Sequence, residues 1–276
     1  MEKIINLVKN GVFPITKDLE GNKVGNDTGF DIAGTIQGEG KLIGTPVLFI
    51  RTSSCNMRCG FIDSICDTAY SSFHPEKNRM KIEDVLKLVE INKGNITSVV
   101  ISGGEPTMQT DELIELMKGL SEMGMHITVE TNATIYHPDF SVYCNLVSMS
   151  PKLKSSIPSA ELLAKEKQPA NWAEKHDKIR YNLEVIQSWI TGAYENGNDF
   201  QLKFVCSSQA DIDEIDEYFV KKLNYVEPTD IYIMPEGMTE DVLKKNSIQC
   251  LQYCLAKGWN FTPRLHINLF GQAKGV

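Results

Sequence analysis

The chain has 276 residues, 42% of them hydrophobic and 23% charged, with 28 Lys and Arg against 36 Asp and Glu. That is enough apolar material for a sizeable buried core, and the acidic total excludes a general nucleic-acid binder. No apolar run approaches the roughly 20 residues that span a bilayer, and the opening MEKIINLVKNGVFPITKD reads as a poor signal peptide, so a cytoplasmic protein with no membrane partner is expected.

In chain order, PVLFIRT (Pro46 to Thr52) predicts a buried strand that runs straight into SSCNMRCGFIDSICDTAYSS. Ile82, Val85, Leu86 and Val89 then recur at helical spacing, and ITSVVIS (Ile96 to Ser102) predicts a second strand ending in GGEP. Leu113, Leu116, Met117 and Leu120 mark a helix that stops at Gly124. HITVET (His126 to Thr131), CNLVSMS (Cys144 to Ser150), QLKFVC (Gln201 to Cys206) and DIYIMP (Asp230 to Pro235) complete six strands. Ser208 is the expected cap of a helix with Ile212, Ile215 and Phe219 inward, and Thr239 begins a helix to about Lys257. The polar region from Pro158 to Gly197 has no clear placement. Strands alternating with helices predict a parallel sheet, and without repeats or linkers residues 1–276 are expected to form a single domain.

Polar residues gather just beyond the carboxyl ends of these strands, the edge where α/β proteins bind ligands. Seven cysteines in a reducing compartment read as thiols or ligands rather than disulfides. Cys144, Cys206, Cys250 and Cys254 sit in apolar strands or on one helix face and read as core. Cys55, Cys59 and Cys66 share a polar loop, where packing does not account for three thiols. A structural zinc site wants four N or S ligands, His74 being the nearest further candidate, whereas three thiolates suit a cubane iron–sulfur cluster with one open iron.

A strand leading into C-x3-C and a third cysteine, with GGEP after the next strand, resembles the radical S-adenosylmethionine (SAM) superfamily. That resemblance implies a [4Fe–4S] cluster on Cys55, Cys59 and Cys66, with the amino and carboxylate groups of SAM on the open iron. The superfamily's usual spacing is C-x3-C-x2-C. Here six residues, GFIDSI, separate Cys59 from Cys66, so the extra four must loop out. With GTIQGEG upstream, DT after Cys66, and SPK, LKFV, MPEG and RLHINLFGQAKGV following in order, the chain resembles the 7-carboxy-7-deazaguanine synthase family from about Phe30 to Val276, the polar region apart.

The resemblance implies an incomplete (β/α)6 barrel of radical-SAM type, with N- and C-terminal segments closing its mouth. It implies conversion of 6-carboxy-5,6,7,8-tetrahydropterin to 7-carboxy-7-deazaguanine and ammonia, by a 5′-deoxyadenosyl radical that abstracts hydrogen from C6. Mg²⁺ on Thr68, an electron donor such as flavodoxin, and a homodimer belong to the same expectation. For SAM it implies Ile65, Cys66, Asp67, Gly104, Glu105, Glu130, Ser150, Pro151, Lys152, Met234, Pro235, Glu236 and Gly237. For the pterin it implies Ile36, Gln37, Gly38, Arg51, Ser102 and the carboxylate of Val276. Read alone, Thr68 is equally a loop hydroxyl, Arg51 a solvated strand-end charge, Glu130 a structural carboxylate and MPEG a turn. Two other functions share some of these features: a radical-SAM glycyl-radical activase, and a non-catalytic zinc or iron–sulfur module.

Overall fold

A computed structural model describes residues 3–61, 64–271 and 273–275. The six expected strands are β3 (Pro46–Thr52), β5 (Ser98–Gly103), β6 (His126–Thr131), β7 (Leu146–Met149), β8 (Asp199–Cys206) and β9 (Ile231–Pro235). Each pairs in parallel with the next, in sequence order, as right-handed crossovers through helices favour. Four strands extend the sheet: β1 (Ile4–Phe13), β2 (Thr35–Ile36), β4 (Asn78–Lys81) and β10 (Asn260–Phe261). The order is β10-β9-β8-β7-β6-β5-β3-β1-β4, with β2 off β3. The two ends of that path do not pair, so the barrel is incomplete, as expected.

Side chains alternate along each strand, and here the alternation separates core from site. Ile50, Ile101, Val129, Val147 and Leu202 are fully or almost fully buried against the helices. Their neighbours Arg51, Ser102, Glu130, Ser148 and Lys203 line a cavity on the opposite face. Register aligns this polar row, Arg51 opposite Ser102 and Glu130 opposite Ser148. A strand that reads as a continuous apolar run thus supplies one polar residue per strand end to the site.

The helical layer forms where periodicity puts it. In Thr110–Glu122 the residues Leu113, Leu116, Met117 and Leu120 are wholly buried, each contributing roughly 1.5–3 kcal/mol of burial. Ser208 caps Gln209–Glu214 in a reciprocal box with Asp211. The polar region resolves into helices Ala160–Lys165, Trp172–Arg180 and Leu183–Asn196. Among the described residues no helix is long and apolar enough to cross a membrane.

Candidate active site

Beyond β3 the chain enters the cysteine loop, and the described residues between Cys59 and Cys66 form the two arms of a small hairpin. Gly60 and Ile65 pair as an antiparallel bridge, and Phe61 N donates to Ser64 O at 2.8 Å. Cys66 N donates to Cys59 O at 3.1 Å, which returns the third cysteine to the side of the second. Ile62 and Asp63 lie outside the described residues. The hairpin is anchored at the far wall by Ser64 Oγ, 2.7 Å from Glu236 Oε1.

Arg58 fixes the other half of the loop. Its Nη1 donates to the carbonyls of Cys55 and Met57 at 2.9 and 2.8 Å, and its Nε to Gln168 Oε1 at 3.2 Å. Its guanidinium stacks 4.1 Å from the Trp172 ring centre. Gly60 N donates to Ser156 O at 2.9 Å, and a Cβ at Gly60 would run into Leu162 and Pro158. The region without a predicted placement is therefore the backing of the cysteine loop.

All three thiols face one cavity of about 290 Å³. Burial, reinforced by the nearby Cys59 and Glu105, pushes the Cys55 thiol up; burial likewise pushes Cys59 up to about 12, against the pull of Lys152. Thiols so placed ionise only when a cation takes the proton's place. Met57 N (3.4 Å) and Asn132 Nδ2 (3.9 Å) donate to Cys55 Sγ, an arrangement that suits a metal-bound thiolate. Among the described residues no three His, Cys, Asp or Glu side chains converge on a point for a single ion. A [4Fe–4S] cluster fits a donor set of three thiols on one cavity wall.

The glycines of ISGGEP have a packing reason of their own. Gly103 has φ +150°, and a Cβ on Gly104 would collide with the Ser54 carbonyl. They let β5 close against the cysteine loop while still lining the cavity. Glu105 is wholly buried and turned away from it. Its carboxylate accepts from Thr107 N and Oγ1, Thr131 Oγ1 and Asn132 N, at 2.6 to 3.1 Å. Burial raises its pKa, against the pull of these bonds.

A charged network, absent from the sequence expectations, spans the cavity floor. Lys203 Nζ lies 2.6 Å from Glu39 Oε2 and 3.4 Å from Glu130 Oε1. Arg264 Nε donates to Glu39 Oε1 at 3.1 Å and Nη1 to Gly237 O at 2.7 Å, while Nη2 meets Asp67. Burial alone would raise Glu39, but Lys203 and Arg264 hold its carboxyl well below the ordinary range. Burial would likewise lower Lys203, and the Glu130 and Glu39 carboxylates raise it instead. Gln37 Nε2 (3.2 Å) and Ser102 Oγ (2.8 Å) complete the environment of Glu130.

Arg51 presents the contrasting case. Its Nε is buried without a partner among the described residues, and its guanidinium lies 5.2 Å from the Phe13 ring centre. A guanidinium at the cavity wall with a buried, unpartnered Nε is suited to a carboxylate ligand. Thr68 Oγ1 lies 3.4 Å from both Cys66 Sγ and Gly103 O, long contacts that leave it a lone pair.

The cavity wall includes Ile36, Gln37, Gly38, Arg51, Cys55, Cys59, Ile65, Cys66, Asp67, Thr68, Ser102, Gly104, Glu130, Ser150, Lys152, Met234, Glu236 and Gly237. Glu105, Pro151 and Pro235 are not on it, and Val276 lies outside the described residues. Ala273, Lys274 and Gly275 do line it, with Lys274 Nζ 4.6 Å from the Tyr70 ring centre. Glu39, Lys203, Arg264 and His266 are wall residues that sequence reading missed, although QGEG, LKFV and RLH were each visible as strings.

Comparison with known proteins gives a concordant picture. The model of the Radical SAM superfamily matches residues 49–152. A 7-carboxy-7-deazaguanine synthase of Halobacterium salinarum is 36% identical over 243 residues, 87% of this chain and 88% of the relative. One from Rhodopirellula baltica is 36% identical over 240 residues, 87% and 85% of the two chains. The crystal structure of QueE from Escherichia coli shares the fold with a TM-score of 0.58 at 20% identity, covering 92% of this chain and 95% of that one.

Proposed function

The chain belongs to the 7-carboxy-7-deazaguanine synthase family of radical SAM enzymes, and from that premise we propose how its own residues divide the work. The protein converts 6-carboxy-5,6,7,8-tetrahydropterin to 7-carboxy-7-deazaguanine and ammonia, using SAM and a [4Fe–4S] cluster. When bound, the cluster and SAM supply the 5′-deoxyadenosyl radical that starts the reaction.

Cys55, Cys59 and Cys66 hold the cluster. Ile65, Asp67, Gly104, Ser150, Lys152 and Met234 to Gly237 surround SAM, with Pro151 and Pro235 shaping the turns beneath it. Glu105 acts one layer back, tying the start of the loop after β6 to the GGEP turn. Arg51 receives the substrate carboxylate, Thr68 offers a hard oxygen to Mg²⁺, and Ile36, Gln37, Gly38 and Ser102 meet the pterin edge. Glu130 and Glu39, both paired with Lys203, face the N–H-rich pterin. The observation that carries this reading is the convergence on one cavity of three thiols and the Arg51 guanidinium, whose buried Nε has no partner among the described residues.

The terminal segments close the mouth of a single domain: Leu265 N donates to Gly38 O at 2.9 Å, and Phe30 packs edge-on to Phe270 at 6.2 Å. The wall positions of Ala273 to Gly275 support a role for the Val276 carboxylate on the aminopyrimidine edge. A cytoplasmic homodimer is part of the same reading. Seven free cysteines suit a reducing compartment, and the exposed Ile248, Leu251 and Leu255 stripe of helix Glu240–Lys257 supports self-association.

Anaerobic incubation with SAM, reductant and carboxytetrahydropterin should yield 7-carboxy-7-deazaguanine by mass spectrometry. SAM cleavage without that product would overturn the substrate reading. Residues appended after Val276 should raise the pterin KM at least tenfold and leave uncoupled SAM cleavage intact. Unchanged kinetics would remove the tail from the pocket.

A further inference from the structure

The tail after Phe270 is held differently from the helix before it. Helix Leu265–Phe270 is tied to the body by Leu265 N, which donates to Gly38 O at 2.9 Å, and by the edge-on contact of Phe270 with Phe30. Beyond it, the backbone bonds from Gly271 N to Ile267 O at 2.8 Å and from Ala273 N to Phe270 O at 3.3 Å stay within the segment. Ala273, Lys274 and Gly275 nevertheless line the cavity. Something other than backbone pairing has to seat them there.

Lys274 meets Tyr70. Its Nζ lies 4.6 Å from the ring centre, inside the roughly 6 Å over which an aromatic face attracts a cation. Among the described residues no carboxylate forms an ion pair with Lys274. Tyr70 is the fixed half of the contact. It follows Cys66 and Thr68 in the cysteine loop, where Ser71 N and Ser71 Oγ both donate to Thr68 O at 2.8 Å. The Tyr70 carbonyl itself accepts from Glu76 N at 2.9 Å. The tail also reaches the end of the cavity that holds Arg51. The Arg51 guanidinium lies over the Phe13 ring, and a Cβ on Gly275 would lie 3.6 Å from Phe13 Cδ2.

We propose that Lys274 and Tyr70 form a cation–π clasp that seats the C-terminal tail at the Arg51 end of the pocket, which makes both of them positioning residues for the pterin. The proposal rests on the family reading of the pocket, and goes beyond it by assigning the two side chains that hold its last wall in place. Lys274 is exposed and Tyr70 half-buried, so the contact biases the tail toward the wall by about two- to fivefold. A clasp of that strength seats the tail without locking it. It needs the ring face and the cation but not the phenol hydroxyl, and that separates it from a general loss of packing.

The test reads anaerobically reconstituted holoenzyme in two assays. In steady-state turnover, Lys274→Met and Tyr70→Leu should each raise the pterin KM about two- to fivefold, with kcat and iron content kept. The double variant should be no worse than the worse single one, because both remove the same contact. Tyr70→Phe keeps the ring face and Lys274→Arg the cation, so both should stay within about twofold of wild type. The second assay follows release of Val276 by a carboxypeptidase, by intact mass and without substrate. Release should quicken by the same factor in Lys274→Met and Tyr70→Leu, and not in Tyr70→Phe. Lys274→Met, at an exposed tail position, keeps the test decisive even where Tyr70→Leu damages the loop. Unchanged release in Lys274→Met would overturn the clasp, as would KM losses that multiply in the double variant. Quicker release with an unchanged KM would overturn its role in placing the pterin. Wild type that cleaves SAM without forming the deazapurine would instead sink the substrate reading, and the release assay would still decide the clasp.

Discussion

Three cysteines, Cys55, Cys59 and Cys66, line the cavity at the sheet rim, and three of the four core cysteines, Cys206, Cys250 and Cys254, lie between β8 and helix Glu240–Lys257; the contacts at Cys55 differ from those at Cys206 and Cys250. At the rim, Cys55 Sγ accepts from Met57 N and Asn132 Nδ2 and also lies 4.0 Å from Asn56 Oδ1. Between β8 and helix Glu240–Lys257, Cys250 Sγ donates to Cys206 O at 3.6 Å and Cys206 Sγ to Phe204 O at 3.8 Å. A sulfur with only carbonyl oxygens for partners suits a protonated thiol, whereas one approached by N–H donors can also be held as a thiolate. Burial pushes both Cys59 and Cys250 to about 12, so acidity alone does not separate them. Position on a cavity wall does, and at Cys55 the two N–H donors do as well.

Replacing a rim cysteine with Ala is the harshest way to break this contrast. Each of Cys55→Ala, Cys59→Ala and Cys66→Ala should lose the reconstituted cluster and all SAM cleavage, while Cys250→Ala keeps iron and sulfide at wild-type levels. A Cys66 variant that retained a SAM-binding cluster would show that the hairpin does not deliver the third ligand.

The next largest effect is expected beside the rim, at Lys203. Lys203→Met leaves Glu39 and Glu130 without their shared cation in a buried setting, at a cost of about 3–5 kcal/mol. Chemical denaturation reads that loss, and pairing the change with Glu39→Gln should recover part of it. Additive losses in the double variant would mean that the ion pair is not a unit. Thr68→Val, by contrast, should leave stability and uncoupled SAM cleavage unchanged and blunt the stimulation of turnover by Mg²⁺. Full stimulation in that variant would remove the hydroxyl from the metal site.

In the core trio, Cys250→Ser sharpens the comparison from the other side. A buried hydroxyl there should cost on the order of 1–3 kcal/mol without changing iron content. The smallest effect concerns the support under the rim. His176 is wholly buried, with Nε2 3.0 Å from Ser156 Oγ, and burial together with Lys152 and Arg180 lowers its pKa to about 4. The neutral ring is the folded form, so its contribution is full above the unfolded value of 6.5 and is lost as pH falls from there toward 4. Melting temperature should decline over that window in the wild type, and less in His176→Gln. Equal slopes would exclude His176 as the titrating group.

The six parallel strands were legible because strands buried between a helical layer and a closed site read as apolar runs. β1 was not, since the register shift between Leu7 and Val12, with Lys9 and Asn10 exposed, breaks its alternation. The cysteines and Arg51 were legible because one short segment holds them all. Glu39 was not, because its partners Lys203 and Arg264 lie 164 and 225 positions away. Glu105 was placed at SAM from a motif, but the four donors that enclose its carboxylate come partly from Thr131 and Asn132, beyond the reach of local pattern. The polar region from Pro158 to Gly197 gave no periodic signal of its own since its role is to back another loop.

The claim that the rim trio holds a site-differentiated cluster is tested most directly by analysing anaerobically reconstituted protein for metal and sulfide, with electron paramagnetic resonance before and after addition of SAM. The account predicts about four iron and four sulfide per chain, and a reduced-cluster signal that shifts when SAM occupies the open iron. One zinc per chain without sulfide, or a cluster signal indifferent to SAM, would contradict it.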